Sequence, residues 1–267
     1  MNLAPRVAIP LALLSAIALL HAQSGGPAQP PQGYLTPQQT RDVEKVVPPA
    51  PSAGDPRFEA DMAIFRATRA LQGSARWKIA QSDDNLSLTG QLLAFRCALH
   101  LDLTPQNAPR LALLLSRADS DAGAASNNIK FRYGHKRPFQ VANGEVCVSP
   151  QTKSDLEKNP DYPSGHTTLS WDTSLILAEI FPDYADDILA RARAYGQSRV
   201  VCGVHNLSAV QAGWMTADAV FAMQQASAAF RADLDAARSE VAALRSASKA
   251  TPQGCDVEAE ALSKSPY

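Results

Sequence analysis

The chain has 267 residues, of which 45% are hydrophobic, enough to fill the core of one moderate domain or two small ones. Its 25 basic and 26 acidic side chains nearly cancel, which argues against a whole-surface affinity for nucleic acid or an anionic membrane. Any cationic site must therefore be local.

Arg6 precedes the apolar run Val7–Leu20, and the HAQSGG that follows offers a cleavage point after Ala22. This is the pattern of a secretory signal peptide over 1–22, and the run falls short of the roughly 20 apolar residues that a span requires. No later segment is long and apolar enough to cross a bilayer, so no stable membrane insertion is expected after cleavage. Residues 23–55 are rich in proline, glycine and glutamine and read as an extended arm that ties down little core.

From Pro56 the pattern turns helical. Asp55 and Pro56 form a cap and first-turn start, and Phe58, Met62, Phe65 and Ile79 fall on helical spacing. Helices are predicted over Leu88–Leu99, over Pro109–Ala125, and over Thr167–Phe181, where Pro182 stops the run. Asp183 then caps a segment running to about Gly196. Ser208 to about Ser248 is almost continuous helix former, with a break near Ser227. Alternating strand patterns are scarce. The prediction is a single all-α domain, a helical bundle over 56–250, followed by a polar tail over 251–267. Cys97, Cys147, Cys202 and Cys255 permit two disulfides in an exported chain, with three pairings open, and the absence of any C-x-x-C spacing argues against a zinc site.

Three patches carry chemistry. KFRYGHKRPF, Lys130 to Phe139, concentrates Lys130, Arg132, Lys136 and Arg137. DYPSGHTT, Asp161 to Thr168, makes a tight turn at Pro163-Ser164-Gly165 and opens a helix at His166, a place where backbone N–H groups favour an anion. SRVVCGVH, Ser198 to His205, adds Arg199 and a second histidine. Alone, each has an ordinary explanation: a solvated basic loop, a capped helix, a helix end. Together they meet the needs of phosphoryl transfer. Cations and helix-start N–H groups clamp the phosphoryl oxygens, one histidine attacks phosphorus, and a second protonates the departing oxygen.

The order and spacing of Lys130 with Arg137-Pro138, of Pro163-Ser164-Gly165-His166, and of Ser198-Arg199 with His205 closely resemble the tripartite signature of the bacterial class A non-specific acid phosphatases. These belong to the wider superfamily of type 2 phosphatidic acid phosphatases and vanadium haloperoxidases. The likeness runs from about Asp55 to about Arg245 and includes DDNLS (Asp83 to Ser87), LILAEIFP and YGQSRVVCGVH. It implies the all-α fold of that type. It also implies that Lys130, Arg137 and Arg199 bind the phosphoryl oxygens, that Ser164 and the Gly165 N–H add hydrogen bonds, that His166 is the general acid, and that His205 is the nucleophile. No metal or other cofactor is implied. The expected activity is hydrolysis of small-molecule phosphomonoesters through a phosphohistidine, at acidic pH, in the periplasm or after secretion. Nucleic acid as a polymer is not an expected partner, and homo-oligomerisation is left open. Cys147 with Cys202 is the favoured pairing, because both flank signature segments. His135 matches no signature position and is read as a loop residue, His100 as structural, and His21 goes with the signal.

In one respect the chain departs from the family. The signature continues with an aspartate four residues after the nucleophilic histidine, and here that residue is Ala209. The aspartate accepts the ring's inner N–H, leaves the other nitrogen free to attack, and stabilises the developing positive charge. Ser208, Gln211 or a main-chain carbonyl is expected to substitute, with reduced activity. The alternatives are a catalytically impaired phosphoester-binding protein on the same scaffold and, less favoured, a vanadate-dependent haloperoxidase.

Overall fold

The computed structural model describes Met1 and residues 31–247 and 251–267; the predicted signal peptide and the first part of the proline-rich arm lie outside the described residues. Within them all regular structure is helical, with no strand. Helix α1 spans Pro37–Asp42, α2 Pro56–Thr68, α3 Ala75–Ser82, α4 Leu88–Leu99, α5 Pro109–Tyr133, α6 Pro138–Val141 and α7 Pro150–Glu157. They are followed by α8 at Gly165–Ile180, α9 at Ala185–Val201, α10 at Leu207–Ala226, α11 at Ala228–Ala247 and α12 at Cys255–Leu262.

Local chemistry sets most of these boundaries. At α2 the Asp55 carboxylate accepts the Arg57 N–H at 2.8 Å while Pro56 fills the first helical position, where its missing donor is harmless. Helix α5 runs two turns beyond the predicted Ala125, because Ser126, Ile129 and Lys130 continue its buried stripe, and it stops at Gly134 in a left-handed conformation. Asp183 does not cap α9; it lies in a short 3₁₀ turn, Pro182–Tyr184, ahead of that helix. Ser227 separates α10 from α11, as predicted.

Helix α8 is the central element, packed on α5, α9 and α10. Its C-terminal half contributes Ile176, Leu177 and Ile180 to the main core, with Leu92 and Phe95 of α4, Leu111 and Leu114 of α5, and Phe230 of α11. Each such side chain contributes about 1.5–3 kcal/mol on burial. Its N-terminal half buries Thr167, Thr168, Ser170, Asp172, Thr173 and Ser174 instead, so this end of the bundle is polar inside.

The arm and the tail both depart from expectation. Residues 31–55 are not uniformly extended. They form α1 and a 3₁₀ turn at Val43–Lys45, and Val43 and Val47 are buried with Ile129 and Tyr162. The Tyr34 and Leu35 N–H groups donate to the Asp121 carboxylate at 2.9 and 3.1 Å, anchoring the arm on α5. The polar tail carries α12, which a Cys97–Cys255 disulfide fastens to α4 and which packs on α3. The second disulfide joins Cys147 to Cys202, with their Cα atoms 4.6 Å apart.

Candidate active site

The three signature patches meet at the polar end of the bundle. Lys130 stands on α5, beyond the end predicted for that helix; Arg137 is the residue before α6; Gly165 and His166 open α8; and His205 sits in the turn between α9 and α10. All five line one cavity of about 270 Å³, together with Leu86, Leu156 and Leu169. Arg199, on the last turn of α9, approaches from the side. Its Nη2 donates to Asp84 Oδ1 at 2.7 Å, and the Asp84 carbonyl lies 3.1 Å from His166 Nε2.

The turn that delivers His205 is tightly specified. Gly203 has φ +79°, a left-handed conformation that L side chains rarely adopt. The Arg69 guanidinium donates to the carbonyls of Val200 and Val201 at 3.0 and 2.7 Å, closing the end of α9. A Cβ on Gly203 would lie 2.5 Å from Arg69 Nη1. Helix α10 then passes so close to the start of α8 that a Cβ on Gly213 would come within 2.9 Å of the Ser164 carbonyl.

His205 is buried, and its ring is held from both sides. Nδ1 lies 2.7 Å from Asp161 Oδ1, and Nε2 lies 3.1 Å from Arg137 Nη1. A guanidinium only donates, and an ionised carboxylate only accepts. The proton is therefore assigned to Nδ1 and the lone pair to Nε2, the nitrogen beside Arg137. Neither residue expected to support the ring does so. The Ser208 hydroxyl donates to Asp61 Oδ2 at 2.5 Å, and Gln211 is exposed. The acceptor is Asp161, the first residue of the second patch, which sequence reasoning overlooked. Asp161 is fully buried and saturated: it also accepts the Asn206 N–H at 3.3 Å, the Asn206 amide at 2.8 Å and His135 Nδ1 at 3.3 Å. A carboxylate has about four lone-pair directions, and all four are used here. Ala209 itself is buried in an apolar cluster with Val43, Tyr162 and Ala212, and its carbonyl accepts the Ser164 N–H at 2.9 Å.

Burial and mutual charge tune the groups. Burial, and then the neighbouring Arg137 charge, pull the Lys130 ammonium down to about 7, with Asp161 opposing. Arg137 falls to about 10, chiefly by burial, and keeps its charge at every relevant pH. Its Nη1 donates to the Val204 carbonyl at 2.7 Å, and its Nε to the carbonyls of Leu156 and Asn159 at 2.9 and 2.8 Å. This cradle of acceptors fixes its direction. Burial and then Arg137 hold His205 well below the ordinary histidine value, with Asp161 opposing. Burial and then Arg199 do the same to His166. For Asp161, burial acts upward, but hydrogen bonds from His135 and His205 prevail and keep the carboxyl ionised.

The remaining candidates fall into supporting places. The Ser164 hydroxyl caps α8, accepting from the Thr167 N–H at 3.4 Å and the Thr167 hydroxyl at 3.0 Å. His100 terminates α4 in a left-handed conformation and lies 4.8 Å, ring to ring, from Tyr184. The DDNLS stretch does more than mark a resemblance. Asp83 accepts both Arg191 nitrogens at 2.6 and 3.2 Å and the Ser198 hydroxyl at 2.6 Å, pinning α9 where Arg199 leaves it. Among the described residues, no group of three or more His, Cys, Asp or Glu side chains is arranged to hold a metal ion.

Residues 111–228 match the model of the PAP2 superfamily. The chain is 39% identical to an acid phosphatase of Zymomonas mobilis, over 80% of this chain and 81% of that protein. It is 35% identical to a non-specific acid phosphatase of Providencia stuartii, over 79% and 86% respectively. It is 31% identical to a non-specific acid phosphatase of Salmonella typhimurium, over 80% and 86%.

Proposed function

The chain belongs to the PAP2 superfamily and is an acid phosphatase, and we propose that it hydrolyses phosphomonoesters through a phosphohistidine formed on His205. Lys130, Arg137 and Arg199, with the Gly165 N–H at the start of α8, hold the phosphoryl oxygens. His205 Nε2 attacks phosphorus, the bond to the ester oxygen breaks, and His166 delivers a proton to the departing alcohol. Water then attacks the phosphohistidine, giving its proton to His166, and phosphate leaves.

The observation that carries this reading is the setting of the His205 ring, with Nδ1 2.7 Å from Asp161 and Nε2 3.1 Å from Arg137, which favours the N–H on Nδ1 and the lone pair on Nε2. Asp161 stands where it can serve as the acceptor that Ala209 does not supply, which supports turnover over an impaired binding protein on the same scaffold. The low basicity of His166 also fits acidic operation. A monoester carries its last proton below a pKa of about 6. The monoanion brings that proton into the site, and the phosphoryl charge then offsets the Arg199 field that keeps His166 neutral. The leader at 1–22 and two disulfides support export to the periplasm or beyond.

The test is hydrolysis of a chromogenic aryl phosphate between pH 4 and 8, beside His205→Ala. The reading expects turnover on the acid side and a loss of at least about 10³-fold in the variant. An inert wild type, or an active His205→Ala, overturns it.

A further inference from the structure

His135 belongs to neither the clamp nor the histidine pair, yet it touches the group that orients the nucleophile. Its Nδ1 lies 3.3 Å from Asp161 Oδ2, and its Nε2 lies 2.9 Å from the Pro51 carbonyl oxygen. Both partners are acceptors only. A neutral imidazole has a single N–H, so it would turn a lone pair toward one of these oxygens. Only the imidazolium satisfies both at once. The backbone adds a second tether, since the Asp161 N–H donates to the His135 carbonyl at 2.7 Å. The Tyr162 ring packs against His135, and its hydroxyl donates to the Pro48 carbonyl at 2.6 Å. Carbonyls of the arm, at Pro51 and Pro48, thus hold His135 and Tyr162.

We propose that His135 is a positioning residue for the hydrolysis: as an imidazolium gripped between Asp161 and the Pro51 carbonyl, it fixes the second carboxylate oxygen, and through it the His205 ring. This rests on the reading that Asp161 supports His205. The charged groups facing His135 are Asp161 and, from α2, Asp61; Lys130, Arg137 and His205 lie beyond Asp161. The Asp161 hydrogen bond is the largest influence on His135 and raises it above its ordinary value, against burial. The grip therefore holds at acidic pH and is lost as pH rises through this raised value. One ring nitrogen then confronts an oxygen without a proton between them, and the site loosens from the arm side.

Two measurements test this. Nitrogen-15 NMR of the histidine-labelled full chain reads protonation directly. His135 should carry a proton on both ring nitrogens at pH 6 and titrate above 6.5, and its pKa should fall in Asp161→Asn. A singly protonated His135 at pH 6 overturns the proposal without recourse to any variant's activity. The second is His135→Gln, which can still donate to Asp161 but cannot carry charge. Its kcat at pH 5 should fall on the order of tenfold, the usual cost of losing an outer partner, with KM changing less than about twofold. The alkaline limb of its kcat profile should shift from that of the wild type. An unchanged profile shape overturns the proposal, whatever the absolute rate. Asp161→Asn separates the two layers. If it retains wild-type kcat, the reading of Asp161 fails and this inference fails with it. If it loses activity while His135→Gln keeps the wild-type pH profile, only the role of His135 falls.

Discussion

Replacing Asp161 with asparagine changes few atoms and should nearly silence the enzyme. In the wild type Asp161 Oδ1 accepts from His205 Nδ1 at 2.7 Å while Arg137 Nη1 donates toward Nε2 at 3.1 Å. A side-chain amide facing Nδ1 with its NH₂ group reverses the tautomer, so that Nε2 carries the proton and the nucleophilic lone pair is lost. Even with the amide oxygen facing the ring, a charge-assisted hydrogen bond of about 1.5–3 kcal/mol becomes a neutral one of about 0.5–1.5 kcal/mol, a loss on the order of tenfold. The reversed tautomer adds to this, and the equivalent change in the serine-protease triad, for which about 10⁴-fold has been established, sets the upper end. Steady-state hydrolysis of an aryl phosphate at pH 5 should give a kcat reduced 10²- to 10⁴-fold. KM should change only a few-fold, because the proposed phosphoryl clamp of Lys130, Arg137 and Arg199 makes no hydrogen bond to Asp161. A variant that retains more than about a third of wild-type kcat would refute the assignment.

Other substitutions probe the surroundings. Ala209→Asp restores the family residue in sequence but places a carboxylate among Val43, Tyr162 and Ala212, on a ring whose acceptor is already in place; it should lower Tm and fail to raise kcat, measured by calorimetry and aryl phosphate assay. Lys130 loses its proton near pH 7 in the free enzyme, so inhibition by inorganic phosphate should weaken as pH rises above 7, and Lys130→Gln should bind phosphate more weakly below pH 7 and remove that step. Asp172, raised well above the usual carboxylate value by burial and then by Asp119, which sits at about 7, binds protons more tightly folded than unfolded. Its contribution to stability therefore declines as pH rises from about 4 through the folded value, and Asp172→Asn should raise Tm more at pH 7.5 than at pH 4.5. Gly203→Ala combines a left-handed residue with a 2.5 Å approach to Arg69, and should cost about 1–2 kcal/mol from the backbone alone in denaturant unfolding, with a further loss of kcat as His205 shifts.

Much of this architecture is legible along the chain because it is local. The Asp55 cap, Pro56, the helix over Leu88–Leu99 and the break at Ser227 are each decided within a few residues, and each appears where expected. The signature residues were legible by spacing, and the structure gathers Lys130, Arg137, Gly165, His166 and His205 around one cavity. What escaped is what depends on distant partners. Asp161 reaches His205 across 44 positions, and no periodicity announces such a contact. Ser208, beside Ala209, is taken up by Asp61, and the carboxylate arrives instead from the loop that precedes α8. The prolines of the arm give no sign that Val43 and Val47 are buried, and its carbonyls, which hold Tyr162 and His135, carry no side-chain signal. The tail was read as polar because the disulfide that holds α12 cannot be paired from spacing alone.

The measurement closest to the central claim is covalent trapping. The enzyme would be mixed with an aryl phosphate at pH 5, quenched into alkali, where phosphohistidine survives, digested and analysed by mass spectrometry. The account predicts a phosphoryl group on His205 in the wild type and its disappearance in Asp161→Asn. Steady turnover with no phosphoryl group on any histidine, or with the group on His166, would contradict it.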